Sequence, residues 1–256
     1  MVDSASQTMD DFIQKEFWSG YIKSLSDFVR CPSLTSLYDP EWKTNRNLFK
    51  ARDIMVSYVK GLNIKGCTIT ELEDPDRSPF IIVNVDETDA KYKDNCVLLY
   101  GHLDKQPLGD RADWNTDPLD PVIKDGKMYG RGSSDDGYSL FSAALAIKAV
   151  QEAGKHHPRI VITIEGSEEG EIDDLLYYME KYKSKLGNPN LVICLDSEAT
   201  LDSTLTLTTT LRGVLDFSLK VTLYENGVHS GLGGGIGPSP FPIASKLLER
   251  LMDFKT

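Results

Sequence analysis

An apolar run, Val97-Leu98-Leu99-Tyr100, ends abruptly in Gly101-His102-Leu103-Asp104. Along an extended backbone, side chains two apart share a face, so His102 and Asp104 can meet just past the end of a strand. A neutral imidazole is a metal ligand, and a carboxylate behind it fixes its tautomer and raises its basicity. Further acids follow at Asp135, at the adjacent pair Glu168-Glu169 and at Asp196. Carboxylates gathered in a partly dry cleft raise one another's pKa values, a conflict that divalent cations remove. One imidazole among oxygen ligands suits zinc, cobalt or manganese better than copper. A carboxylate between two cations bridges them, and such a pair polarises a carbonyl and acidifies a water. Of two adjacent glutamates, one can bind metal while the other takes a proton. Each piece also has a plain local reading. Ser134, Asp135 and Asp136 can cap a helix, Glu168-Glu169 can be a solvated acidic turn, and His229 can be an ordinary loop histidine.

These residues meet only if the elements around them deliver them to one place. Strands are expected at Cys67 to Leu72, Phe80 to Val85, Cys96 to Tyr100, Ile160 to Ile164 and Leu191 to Leu195, from their apolar or alternating runs. Between them, Tyr138 to Ala153 reads as an alanine-rich helix closed by Gly154, and Asp173 to Lys185 as another helix. Val122 to Tyr129 reads as a hairpin turning at Asp125-Gly126. Upstream, apolar residues from Phe12 to Val29 recur at helical spacing up to Cys31-Pro32, and a second helix is expected from Asp39-Pro40 to Gly61. Strand-helix-strand alternation predicts an α/β fold with a mostly parallel sheet and helices on both faces. His102, Glu168, Glu169 and Asp196 would then follow strand ends along one edge, where ligands of open α/β sheets bind.

Past Thr210 the pattern changes. Leu215, Phe217, Leu219, Val221 and Leu223 alternate with polar residues, predicting an antiparallel strand with one wet face, followed by a glycine-rich loop with His229 and a helix from Pro242 to about Phe254. The domain boundary is expected between Ser203 and Arg212, giving domains at 1–209 and 210–256. His156 and His157, before Pro158, are expected to face solvent.

The 256 residues carry a net charge of -11 with no long block of either sign, which disfavours nucleic acid or an anionic membrane as the main partner. Cys31, Cys67, Cys96 and Cys194 form no C-x-x-C pair and read as reduced thiols. No run approaches a membrane span and the polar start lacks a signal-peptide core, so the cytoplasm is the expected compartment.

As an ordered set, GHLDKQP, WNTDPLDP, DGKMYGRGSSDDG, EGSEEG and VICLDSEA, followed by VHSGLGGG, resemble the M20 metallopeptidases, in the branch of carnosinase and cytosolic non-specific dipeptidase. The resemblance runs from about Trp42 to the end. It implies an M20 catalytic domain at 1–209 followed by the incomplete beginning of an α+β lid and dimerisation domain. It also implies two divalent metal ions, zinc first with manganese or cobalt as options. His102 and Glu169 would sit on one metal, Asp135 would bridge, and Asp196 would sit on the second. Glu168 would be the general base and Asp104 the carboxylate behind His102. His229 would reach from the lid of one subunit toward its neighbour's site to hold substrate or stabilise an oxyanion.

The implied activity is hydrolysis of dipeptides or of C-terminal residues of small peptides, in a homodimer when full length. N-acyl amino acid deacylation in the same fold, or a non-catalytic metal- or partner-binding fragment, are the alternatives. The sequence departs from the family at Gly137-Tyr138, where many relatives carry lysine. It also supplies no further histidine near its end for the second metal, so a truncated form or a fragment is expected.

Overall fold

In the computed structural model, which describes residues 4–197 and 204–252, the apolar periodicities resolve into helices and strands near their expected places. By its contacts the chain divides into two compact units, Met1–Thr206 and Leu207–Thr256.

The first unit begins with one helical run: α1 (Ser4–Glu16), a π-helical turn at Phe17–Tyr21, and α2 (Ile22–Arg30). The π turn carries Tyr21 to the core, where its hydroxyl meets Ser142 Oγ at 2.9 Å. Cys31 ends the run in an extended conformation, as the residue before a proline must. The second expected helix forms as two pieces, α3 (Trp42–Asn45) and α4 (Asn47–Gly61). They are separated by Arg46 at φ 62°, and the Asn45 side chain restarts the helix by accepting from the Asn47 N–H at 2.9 Å. Asp39 therefore starts a turn ahead of α3 rather than the helix itself: its carboxylate accepts from Glu41 N–H and from Asn45 Nδ2.

The strands follow: β1 (Cys67–Leu72), β2 (Phe80–Val85), β3 (Cys96–His102) and the hairpin β4 (Val122–Lys124) and β5 (Lys127–Tyr129). Asp125 and Gly126 both take positive φ, 52° and 77°, the geometry of a type I′ turn. Then come α5 (Tyr138–Glu152), β6 (Arg159–Glu165), α6 (Asp173–Lys181), α7 (Lys183–Leu186) and β7 (Leu191–Cys194). The helix expected to Lys185 breaks at Tyr182, between α6 and α7.

The main sheet has the order β1-β2-β6-β3-β7. β6 pairs with β3 and β3 with β7 in parallel, whereas β2 is antiparallel to both β1 and β6. Four strands thus share a direction and β2 alone is reversed, so the sheet is mixed within an α/β architecture. Alternation sorts its side chains to two dry faces. Ile81, Val83, Ile162 and Ile164 pack with Phe28, Met55 and Phe141 of α2, α4 and α5, while Phe80, Ile82, Leu98 and Val161 pack with Tyr178 and Leu186 of α6 and α7. Because β3, β6 and β7 run together, their carboxyl ends gather at one edge.

The second unit contains α8 (Ser230–Gly233) and α9 (Pro240–Leu248). The strand expected over Leu215 to Leu223 does not form, and the corresponding antiparallel sheet is absent from the described residues. An isolated strand leaves its N–H and C=O groups without partners, and the described part of this unit offers no second strand to pair with. The expected helix starts two residues earlier, at Pro240, and ends at Leu248; Phe254 lies outside the described residues, as does Ser203 of the expected boundary. No helix of the described residues is long and apolar enough to cross a membrane.

Candidate metal centre

Three strand ends and one helix start build the site. Gly101 allows it: a Cβ there would lie 2.5 Å from Asp136 Oδ2 and 2.4 Å from Ser139 Oγ, so only glycine lets the start of α5 approach β3 this closely. His102, fully buried at the end of β3, donates its backbone N–H to Asp136 Oδ2 at 3.1 Å. Its Nδ1 faces Asp104, 3.1 Å from the backbone oxygen and 3.4 Å from Oδ1. Its Nε2 faces carboxylates from three separate segments: Asp135 Oδ1 at 3.1 Å, Asp196 Oδ2 at 3.7 Å and Glu168 Oε2 at 3.9 Å.

Asp104, also fully buried, holds the acidic turn after β6 in place. Its two oxygens accept the backbone N–H groups of Glu168 at 3.2 Å and Glu169 at 3.0 Å. Glu169 Oε2 accepts from Gln106 Nε2 at 2.6 Å, while its Oε1 is buried with no hydrogen-bond partner. Tyr138 donates its hydroxyl to the Leu195 carbonyl and so ties the start of α5 to the segment bearing Asp196.

Two groups of donor atoms result, His102–Asp135–Glu169 and His102–Glu168–Asp196, the atoms of each lying within 4.8 Å of one another. Asp196, sorted by resemblance to a second cation, thus stands beside His102 as well. Such a donor set, one imidazole with several carboxylates, fits a borderline or hard divalent cation. The orphaned Glu169 oxygen supports the same fit, since a buried carboxylate oxygen without a donor is costly unless a cation faces it.

Residues 98–226 match the model of Peptidase family M20/M25/M40. The chain belongs to this family. Among curated proteins it is similar to human Beta-Ala-His dipeptidase, 28% identical over 250 residues, covering 95% of this chain and 48% of that protein. It is also similar to the Cysteinylglycine-S-conjugate dipeptidase of Corynebacterium striatum, 32% identical over 157 residues, 61% of this chain and 34% of that one. The structure of human carnosine dipeptidase 1 matches with a TM-score of 0.64 at 20% identity, over 96% of this chain and 52% of that chain. The structure of the di-peptidase Dug1p from Saccharomyces cerevisiae matches with 0.63 at 21%, over 100% and 54%. These two show the fold. The M20 chain spans about half the length, or less, of the relatives it matches.

Charge in this M20 site is poised around the imidazole. Burial alone would push His102 down, but hydrogen bonds to Asp104 and Asp135, with the charges of Asp104 and Asp136, outweigh it and raise its pKa to about 12. In the metal-free chain the imidazolium is therefore the local cation. The hydrogen bond from His102 holds Asp135 below its usual value. Burial raises Glu168 and Glu169, with neighbouring carboxylates adding to it. It also pushes Asp136 and Glu165 up to about 7.

Several contributors escaped the sequence reading. Gln106 lies inside GHLDKQP, but nothing local marks it as a donor to Glu169. Glu165 ends β6, where Tyr100 donates to it at 2.5 Å and Ser167 at 3.3 Å. Asp136, read as one of three candidate caps, is wholly buried and anchors the His102 backbone. Lys105 is buried too, its ammonium donating to the carbonyls of Phe28, Val29 and Cys31, and burial lowers its pKa to about 7.

His229 belongs to the second unit, where its Nδ1 accepts the Gly231 N–H at 3.1 Å at the start of α8. His157, expected to face solvent, is buried instead. Its backbone N–H donates to Thr88 Oγ1 and its ring bonds Gln151 and the Pro158 carbonyl, partners that are distant or ambiguous in the sequence. His156 is half exposed.

Proposed function

We propose that the M20 chain carries the catalytic portion of a dinuclear metal-dependent hydrolase that cleaves amide bonds of dipeptides or of C-terminal residues of small peptides. The observation that carries this reading is the convergence of Asp135, Glu168 and Asp196 on one buried imidazole nitrogen, each within 3.9 Å. His102, Asp135, Glu169 and Asp196 would hold two cations, with Asp135 between them; zinc fits the donor set, as do manganese and cobalt. Bound there, divalent cations would polarise a peptide carbonyl and make a water acidic enough to react near neutral pH.

The chain's own groups supply the rest. Glu168, left free while Glu169 is held by Gln106, takes a proton from the attacking water and returns it to the leaving amine nitrogen. Asp104 orients His102 and, through two backbone N–H groups, keeps the acidic turn at the correct distance. Residues 210–256 are read as the beginning of a lid and dimerisation domain, and His229, whose Nδ1 is engaged locally, would offer Nε2 to an oxyanion in a homodimer.

The test is metal content. After dialysis against zinc or manganese, elemental analysis should find at least one metal ion per chain, and His102→Ala should abolish it. A chain that stays empty at saturating metal overturns the reading. Release of amino acid from dipeptides but not from N-acetyl amino acids would assign the substrate class, and the reverse would replace it with deacylation.

A further inference from the structure

Beside the metal centre, and sharing Gln106 with it, lies a cavity of about 320 Å³ between the segment after α2 and the loop after β3. Its walls are mostly apolar, from Pro32, Leu34, Leu108 and Leu119. Its charged lining has the opposite sign to the chain as a whole. Arg131 also lines it, with its Nε enclosed by protein and without a hydrogen-bond partner. The guanidinium's side-chain bond is from Nη2 to the Pro107 carbonyl at 3.2 Å, and its face lies 5.4 Å from the Trp114 ring. Lys105, also in the wall, has its ammonium on three backbone carbonyls. Neither cation forms an ion pair with a carboxylate among the described residues. The one acid in the lining, Asp39, already accepts from Glu41 N–H and Asn45 Nδ2.

A guanidinium in the wall with no carboxylate partner favours an anion, and its charge-assisted hydrogen bonds are about twice as strong as neutral ones. Apolar walls reward a hydrocarbon body in the same ligand. We infer that this cavity binds a small monocarboxylate with a branched aliphatic body, its carboxylate on Arg131 and its hydrocarbon against Leu34, Leu108 and Leu119. A free amino acid is disfavoured, because its ammonium would enter beside the Arg131 guanidinium with no uncommitted carboxylate in the lining to receive it. The inference does not need the hydrolase reading, although the cavity shares Gln106 with the metal centre and the charge of Arg131 is felt at Asp135.

The experiment titrates the metal-free chain with 4-methylpentanoate by calorimetry, following Trp114 fluorescence in parallel. Saturable binding is expected, weaker by about tenfold or more for 4-methylpentanamide, which lacks the charge, for acetate, which lacks the body, and for leucine, which adds the ammonium. Arg131→Gln should weaken binding by a similar factor, and Leu119→Trp should block the cavity without changing its charges. His102→Ala should bind as well as the parent, which separates this site from the metal cluster. Absence of saturation, equal binding of the amide, or binding undiminished in folded Leu119→Trp overturns the inference. Should Arg131→Gln fail to fold, the Leu119→Trp result and the amide comparison decide.

Discussion

β2 and the stretch from Leu215 to Leu223 carry similar alternating or apolar side chains, yet end up in opposite physical states. In β2, Phe80, Ile81, Ile82, Val83 and Val85 are buried to 1% exposure or less, because β1 and β6 flank the strand and helices cover both faces. In the second unit, Leu215 is 80% exposed and Phe217 50%, with no strand formed. Alternation states which face would be dry once a strand exists. Whether it exists depends on neighbours that satisfy its backbone, and those lie elsewhere in sequence.

Function should follow the same division, with the first unit's turn after β6 supplying the proton transfer. Glu168→Gln is expected to lower dipeptide hydrolysis by about 10²–10⁴-fold in any form of the protein that turns over, while leaving metal content unchanged. Full activity in that variant rejects the base assignment, and lost metal would instead make Glu168 a ligand.

Stability should divide as sharply. Phe141 of α5 is fully buried between α2, α4 and the sheet, with edge-on contacts to Phe28 and Tyr58 at 6.2 and 5.2 Å. Phe141→Ala should cost about 3–5 kcal/mol in urea unfolding. Phe217→Ala should change the same midpoint by no more than about 0.5 kcal/mol. A large loss at Phe217 would mean that the second unit is packed in solution.

The buried acids of the first unit make a further difference that the second cannot show. In the metal-free chain Asp136 and Glu165 titrate at about 7, above the 3.8 and 4.5 of free side chains. The folded state then holds protons that the unfolded chain releases. Their stabilising contribution is complete below about pH 4 and is lost as pH rises to about 7. His102, raised to about 12 from 6.5, adds a loss of the same sign above about pH 6.5. Stability should therefore fall with pH by up to about 1.4 kcal/mol per unit for each proton involved. Bound metal should reverse the slope, since it favours ionised carboxylates and neutral imidazole. Urea midpoints between pH 5 and 8, with and without zinc, measure this, and Glu165→Gln should flatten the metal-free curve. A flat curve in the parent chain would place both acids in wetter surroundings.

What could be read from the sequence follows from range. The strands β1, β2, β3, β6 and β7 and the helix α5 were visible as runs of apolar residues bounded by turn signals, and the strand ends already pointed to His102, Glu168, Glu169 and Asp196. Three features were invisible because each joins residues far apart in the chain: Asp104 accepting from the Glu168 and Glu169 backbone, Gln106 donating to Glu169, and Asp136 anchoring His102. The break at Arg46 was hidden for another reason. A single left-handed residue, fixed by the Asn45 cap and by Arg46 stacking 3.5 Å over Phe49, interrupts a periodicity that otherwise continues.

β7 falls between the two regimes and sharpens the comparison most finely. Among the described residues it has one strand neighbour, β3, and its apolar side chains stay largely open, with Leu191 52% and Val192 60% exposed. An exposed apolar edge strand invites pairing with another chain, and a lysine there opposes it. With so little apolar surface removed from water at position 192, Val192→Lys should shift stability by no more than about 0.5 kcal/mol while reducing self-association in light scattering. A loss of several kcal/mol would show instead that this edge is covered in the folded protein. β7 would then belong with β2 rather than with the open second unit, and the Asp196 corner that it carries would be held from both sides.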